Sequence, residues 1–245
     1  LQGEYAAPLT AIFWRFAIAS VLLLLVLKIS GKLKRLSLRD HVFCGLQSLC
    51  VFSLNFVCFY TAVRYINSGL ESVIFSMAVF FNALNSWLFF KQKPSPRFAP
   101  AACIGLLGMV LLFWHELDFG AWHVGQLTGM ALAALGTFGF SLGNMLSVRH
   151  QKHGLDVFST NAYAMLYGTL VLAVLAALFD VSLAMPMQAG FVWPLLYLAV
   201  FGSVIGFTAY FTLVKRLGAA QSAYSTLLFP LVALSISTVW EGYQW

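Results

Sequence analysis

The sequence predicts an all-α, polytopic membrane protein, and three observations carry that expectation. Of 245 residues, 61% are hydrophobic and only 9% charged, with a mean hydropathy of +0.86. So little polar surface cannot cover a water-soluble globule of this length. The apolar residues gather into runs of roughly 20, the length that crosses a bilayer as a helix, without the two-residue alternation of a spanning barrel. The bases fall between these runs, on alternate loops.

Read between Gly, Pro and charge, the chain divides into about eight spans. The first, residues 9–28, runs into Lys28, Lys32, Lys34, Arg35 and Arg39, and the second, 42–63, ends at Arg64. The third, 68–90, is followed by Lys91, Lys93 and Arg97, and the fourth, 98–114, by Glu116 and Asp118. Residues 125–147 lead to Arg149 and Lys152, 158–179 to Asp180, 192–213 to Lys215 and Arg216, and 218–240 to Glu241. Alternate loops are therefore basic, while Arg64 is the sole base on the other side, beside Glu4, Glu116, Asp118, Asp180 and Glu241. Because cytoplasmic loops retain Lys and Arg, the basic loops are expected inside and both ends of the sequence outside. The net charge of +6 reflects these loops and not the basic patch of a nucleic-acid binder. Cys44, Cys50, Cys58 and Cys103 lie inside apolar runs without metal-ligand spacing and read as small packing residues. No signal peptide is visible, and a polar start at Leu1 suggests a preceding segment.

Sliding the chain by about 150 residues places Pro8-Leu9-Thr10 on Phe158-Ser159-Thr160, Val21-Leu22 on Val171-Leu172, Tyr60 on Tyr210 and Glu71-Ser72 on Gln221-Ser222. Such internal repeats are common in transporters. The Arg64 loop is expected outside and its counterpart at Lys215 and Arg216 inside, so the halves, residues 1–120 and 121–245, are expected to be inverted. The repeat predicts one further helix before Leu1 and another after Trp245, for about ten helices in two inverted sets of five.

The pattern resembles the EamA-type family of the drug/metabolite transporter superfamily. The resemblance rests on Pro8-Leu9, Trp14-Arg15-Phe16, Tyr60-Thr61-Ala62-Val63-Arg64-Tyr65 and Ser68-Gly69-Leu70-Glu71-Ser72. In the second half it rests on Tyr210 to Arg216, Gly218-Ala219-Ala220, Phe229-Pro230-Leu231 and Trp240-Glu241. It implies a ten-helix carrier with a cavity between its halves, commonly an exporter of amino acids or other metabolites. The family's usual proline in the fourth helix is absent, Phe80 standing where Pro230 stands in the second half.

Polar side chains at membrane depth are costly and usually face a bundle interior or wet cavity. Glu71, Phe75, Ala78, Asn82 and Asn85 share one helical face, matched by Gln221, Ser225, Leu228, Val232 and Ser235 with Tyr224 adjacent. Ser48, Asn55 and Cys58 form another stripe, Ser203, Gly206 and Tyr210 its counterpart, and Thr137, Ser141 and Asn144 a third. The candidate substrate-binding set is Asn55, Tyr60, Phe75, Asn82, Asn144, Tyr210, Tyr224 and Ser225; hydrogen bonding between helices is the other reading of these stripes. Glu71, the sole carboxylate within a span, has two readings: proton coupling or contact with a substrate amine, and capping through Ser68-Gly69-Leu70-Glu71. The neutral Gln221 at the repeat position favours capping. Arg15 snorkels, or pairs with Glu71 or a carbonyl, in preference to touching substrate. Trp14, Trp87, Trp193 and Trp240 belong at headgroup depth. The pairs Gly125 and Gly129, Gly139 and Gly143, and Gly202 and Gly206 let helices approach closely.

Gly139-Phe140-Ser141-Leu142-Gly143 matches a hydrolase elbow but lies mid-span, where no strand–turn–helix forms, and no histidine base lies within a span. His150 and His153 lack further metal ligands, and no Walker A sequence is present. The expectation is a non-enzymatic secondary carrier in a bacterial-type inner membrane, with no metal, cofactor or nucleic acid, a small-molecule substrate and lipid as solvent. A non-transporting sensor or assembly subunit is the alternative. Substrate, transport direction, coupling and oligomeric state are not set by the sequence.

Overall fold

In the computed structural model, residues 5–93, 98–112 and 124–228 are described. Expectations for Glu4, Arg97, Glu116, Asp118, Val232, Ser235, Trp240 and Glu241, and for Phe229-Pro230-Leu231, lie outside them. The described chain is helical: α1 (Pro8–Ile29), α2 (Leu38–Ala62), α3 (Ser68–Ser76), α4 (Ala78–Phe90), α5 (Phe98–Leu112), α6 (Val124–Lys152), α7 (Val157–Leu178), α8 (Ala189–Leu217) and the short α9 (Ala219–Ser222). Six spans are long and apolar enough to cross a membrane, α3 and α4 forming one of them over Gly69–Phe90. The other two expected spans begin at α5 and α9 and are described in part.

The spans are not simple α-helices. Within α2 the stretch Ser48–Ser53 is π-helical, and within α8 so is Leu198–Ile205; these segments begin about 150 positions apart, the offset of the expected repeat. Ser53 Oγ donates to the Ser48 carbonyl at 2.9 Å, a side-chain contact across the widened turn. A second break falls at Met77, between α3 and α4, where the Met77 N–H donates to the Ile74 carbonyl at 3.0 Å. The third span is thus interrupted three residues before Phe80, without a proline at the break.

The core is aromatic and closely packed. Phe16 of α1 meets Phe52 and Phe56 of α2 edge-on, at centroid distances of 5.5 and 5.0 Å, and Phe52 meets Phe207 of α8 at 5.0 Å. Edge-to-face pairs of this kind are worth about 0.5–1.5 kcal/mol beyond their buried area. Glycines set the approach of α6 to α2: a Cβ on Gly143 would collide with Val51 Cγ2, and one on Gly136 would lie 3.1 Å from the Phe59 ring. Gly139-Phe140-Ser141-Leu142-Gly143 lies within the unbroken helix α6, so no nucleophile elbow forms.

The basic loops meet at one end of the bundle. Asp40 at the start of α2 pairs with Arg149 near the end of α6 at 2.7 Å, and the Lys34 N–H donates to Ser159 Oγ at 3.0 Å. His150 is fully buried in α6, its ring 3.9 Å from Cys44 Sγ, and so belongs to the packed helix and not to a solvated loop. At the opposite end Thr10 Oγ1 and Trp14 Nε1 of α1 donate to the carbonyls of Ser182 and Leu183, at 2.8 and 2.9 Å.

Candidate functional site

Inside the bundle, helices α1, α2, α3, α6 and α8 line a partly open cavity of about 580 Å³. It extends to Val63 and Glu71, beside the turn that joins α2 to α3, and therefore lies towards the end away from the basic loops. Most of its wall is aromatic: Phe56, Phe59, Phe75, Phe140 and Phe207, with Tyr60 and Tyr210. Phe59 meets Phe75 at 5.5 Å, Phe75 meets Phe140 at 5.4 Å, and Phe140 meets Tyr210 at 5.4 Å, so the rings form a continuous face across four spans.

Two charged side chains interrupt this wall. Arg15 donates from Nε to Ser203 Oγ at 2.8 Å, and its guanidinium carbon lies 5.1 Å from the Phe56 ring centre. The approach requires Gly202, where an added Cβ would lie 3.2 Å from Arg15 Nη2. Ser203 lies in the π-helical stretch of α8, so the widened turn directs the acceptor towards α1. Among the described residues no carboxylate pairs with Arg15, and no hydrogen bond or ion pair reaches the Glu71 carboxylate. The N-terminus of α3 is capped instead by Asn67, whose Oδ1 accepts from the Leu70 N–H at 2.8 Å. The cap therefore falls one residue before the expected Ser68, and with Leu70 in place of an acid three residues on, no box closes around it. Glu71 lines the cavity.

Beneath the cavity, Tyr210 of its lining joins two buried amides. Asn144 of α6 donates from Nδ2 to Asn82 Oδ1 of α4 at 3.1 Å and to the Tyr210 hydroxyl of α8 at 3.0 Å. One turn earlier on α6, Ser141 Oγ accepts from Asn85 Nδ2 at 2.9 Å.

Of the sequence-predicted residues, Asn55, Tyr60, Phe75 and Tyr210 line the cavity together with Glu71. Asn82 and Asn144 are fully buried beneath it, where they bond one another. Tyr224 and Ser225 lie elsewhere: the Tyr224 hydroxyl donates to the Phe98 carbonyl at 3.2 Å and Ser225 Oγ to the Ser222 carbonyl at 2.7 Å. The reason is local, since Ala223–Leu227 is a 3₁₀ turn and loses the four-and-three stripe of an α-helix. Gln221 also misses the cavity and lines a separate pocket at the basic end. The stripe Ser48, Asn55 and Cys58 is broken by the π-helical segment: only Asn55 reaches the cavity, while Ser48 Oγ donates to the Gly45 carbonyl at 2.6 Å. The aromatic wall carried no such signal, because Phe in an apolar span reads as lipid-facing or core until its neighbours are known.

The sequence profile of the EamA-like transporter family matches residues 2–114 and 127–244. This chain belongs to the EamA-like transporter family. Among curated EamA-like relatives, Protein PagO of Salmonella typhimurium is 23% identical over 243 residues, spanning 98% of this chain and 78% of PagO. From Bacillus subtilis, Uncharacterized transporter YdfC is 25% identical over 244 residues, 99% of this chain and 76% of its own length. Uncharacterized transporter YoaV of the same organism is 22% identical over 226 residues, 90% of this chain and 74% of its own. A solved structure titled only as the crystal structure of a protein superposes with a TM-score of 0.80 at 15% identity, covering 99% of this chain and 82% of that one. The EamA-like fold is therefore shared well beyond recognisable sequence identity, and the protein is a multi-pass membrane transporter.

Proposed function

We propose that the protein is a secondary carrier of the bacterial inner membrane that exports small amphipathic molecules, amino acids foremost, by alternating access about its central cavity. The observation that carries this reading is that Arg15 and Glu71, ionisable groups of opposite type with no ion-pair partner among the described residues, line one aromatic-walled cavity of about 580 Å³. A charge buried at membrane depth is costly until it meets a partner. A zwitterion supplies both partners at once, its carboxylate to Arg15 and its amine to Glu71, while an apolar body rests on Phe56, Phe75 and Phe207. Asn55 Oδ1, buried and without a partner among the described residues, offers a further acceptor. The two halves, residues 1–120 and 121–245, rock as inverted units about this site.

Flux through proteoliposomes containing the full chain tests the proposal, with a panel of aromatic, aliphatic and charged amino acids and cationic dyes. The expected result is saturable movement of neutral zwitterionic amino acids with apolar side chains. Absence of flux for every member of the panel from a folded, inserted protein would favour the sensor or assembly role.

A further inference from the structure

A second concavity, of about 670 Å³, lies at the basic end among α4, α5, α6, α8 and α9. Lys93, Lys152, Lys215 and Arg216 all line it, reaching it from three separate stretches of chain. Three amides, Gln92, Gln151 and Gln221, join them, and no carboxylate is among its described lining residues. The ion pair described at this end, Arg149 with Asp40, lies outside this lining. Lys152 Nζ lies 4.0 Å from the Phe90 ring centre, a contact that leaves its charge uncompensated. The deeper wall is apolar, with Phe98, Val148 and Val214.

The positive-inside rule explains why bases occur in these loops. It does not require four of them to converge on one concave surface without an acid among them, an arrangement that concentrates positive potential and repels itself when empty. Such a site stabilises a compact anion with several acceptor oxygens, and its apolar back wall accommodates an organic group attached to that anion.

We propose that this pocket is a binding site for organic phosphates, separate from the central cavity, with Lys93, Lys152, Lys215 and Arg216 holding the phosphate oxygens. The buried floor of Asn82, Asn144 and Tyr210 separates the two: along α6, Phe140 faces the central cavity, Asn144 the floor and Val148 the basic pocket. In this conformation the pocket is closed off from the central cavity. The phosphate could come from a soluble ester or from the headgroup of an anionic phospholipid, two sources with one chemistry.

The test uses the detergent-purified full chain and calorimetric titration with phenyl phosphate, with benzyl alcohol as the neutral control. Phenyl phosphate is expected to bind and to weaken as salt rises, and benzyl alcohol to give no comparable signal. The triple variant Lys152→Gln, Lys215→Gln and Arg216→Gln, whose side chains are exposed, is expected to bind about tenfold or more weakly. Arg15→Gln, which removes the cation of the central cavity, is expected to leave the affinity in place. Repeating the titration in nanodiscs with and without phosphatidylglycerol separates the sources. Competition by that lipid identifies the headgroup and its absence the soluble ester, either result placing a phosphate in the pocket. No binding, unchanged binding by the triple variant, or loss confined to Arg15→Gln would overturn the proposal.

Discussion

Asn144 and Asn82, 62 residues apart in sequence, meet at 3.1 Å beneath the central cavity, and the same Asn144 amide reaches the Tyr210 hydroxyl at 3.0 Å. One amide thus ties together α4, α6 and α8. The cluster is not fully satisfied, since Asn82 Nδ2 and Asn144 Oδ1 have no partner among the described residues. A floor that is bonded but incompletely paired is held shut without being deeply trapped. Asn144→Leu, which leaves two acceptors without their donor, is expected to cost about 1–3 kcal/mol, and Tyr210→Phe about 1 kcal/mol. Thermal unfolding in detergent measures both. Equal costs would mean that Asn144 does not join the two contacts.

Glu71 and Asn67 separate capping from transport. Asn67→Ala is expected to lower stability by about 1 kcal/mol and leave any pH dependence of transport in place. Glu71→Gln is expected to leave stability nearly unchanged, because the cap is elsewhere, and to abolish proton-linked accumulation or amine recognition. Comparing melting temperatures with uptake at several pH values decides between them. If Glu71→Gln were the variant that unfolds while Asn67→Ala stayed intact, the cap would have been wrongly placed.

Gly202 offers an indirect means of moving Arg15. An alanine there puts a methyl group 3.2 Å from Arg15 Nη2, close enough to displace the guanidinium by a few tenths of an ångström. Gly202→Ala is expected to raise KM for a carboxylate-bearing substrate several-fold with little change for its ester. An equal effect on acid and ester would place the carboxylate away from Arg15.

Orientation is open to chemical labelling. A cysteine introduced among residues 32–39 is expected to react with an impermeant thiol reagent only from the cytoplasm, and one at 182–187 only from outside. The reverse pattern would turn the basic pocket outward, and labelling of both loops from the same side would remove the physical basis for inverted halves.

The helices were legible because composition and run length force them: α1 begins at Pro8 and α7 at Val157, each within a residue of its expected start. Two of the central stripes were legible only in part. Asn55, Tyr60, Phe75 and Tyr210 fall on the cavity as their helical phase suggests, but phase is lost wherever a helix changes type. Tyr224 and Ser225 lie in a 3₁₀ turn, Ser48 opens a π-helical segment, and Met77 resets the face that carries Asn82. For Arg15 the sequence leaves snorkelling and pairing with Glu71 or a carbonyl open, and neither names its acceptor, Ser203, which lies 188 residues away in the other half. A long-range partner of this kind leaves no mark on local spacing.

A π-helical turn packs more residues into its advance than an α-helical one, so Ser48–Ser53 and Leu198–Ile205 each hold about one residue in surplus. Each α-helical residue rotates the side-chain direction by about 100°. Deleting that surplus residue would let the turn close to an α-helical one with its flanks still aimed as before. Deleting a residue from the α-helical stretch beside it would instead re-aim everything beyond: Asn55 and Phe56 in α2, or Phe207 and Tyr210 in α8, would swing out of the cavity. Substitutions on these spans change what the wall is made of, whereas a one-residue indel changes which wall is presented. Two relatives differing by one residue outside these widened turns can share nearly every letter and still line their cavities with different side chains.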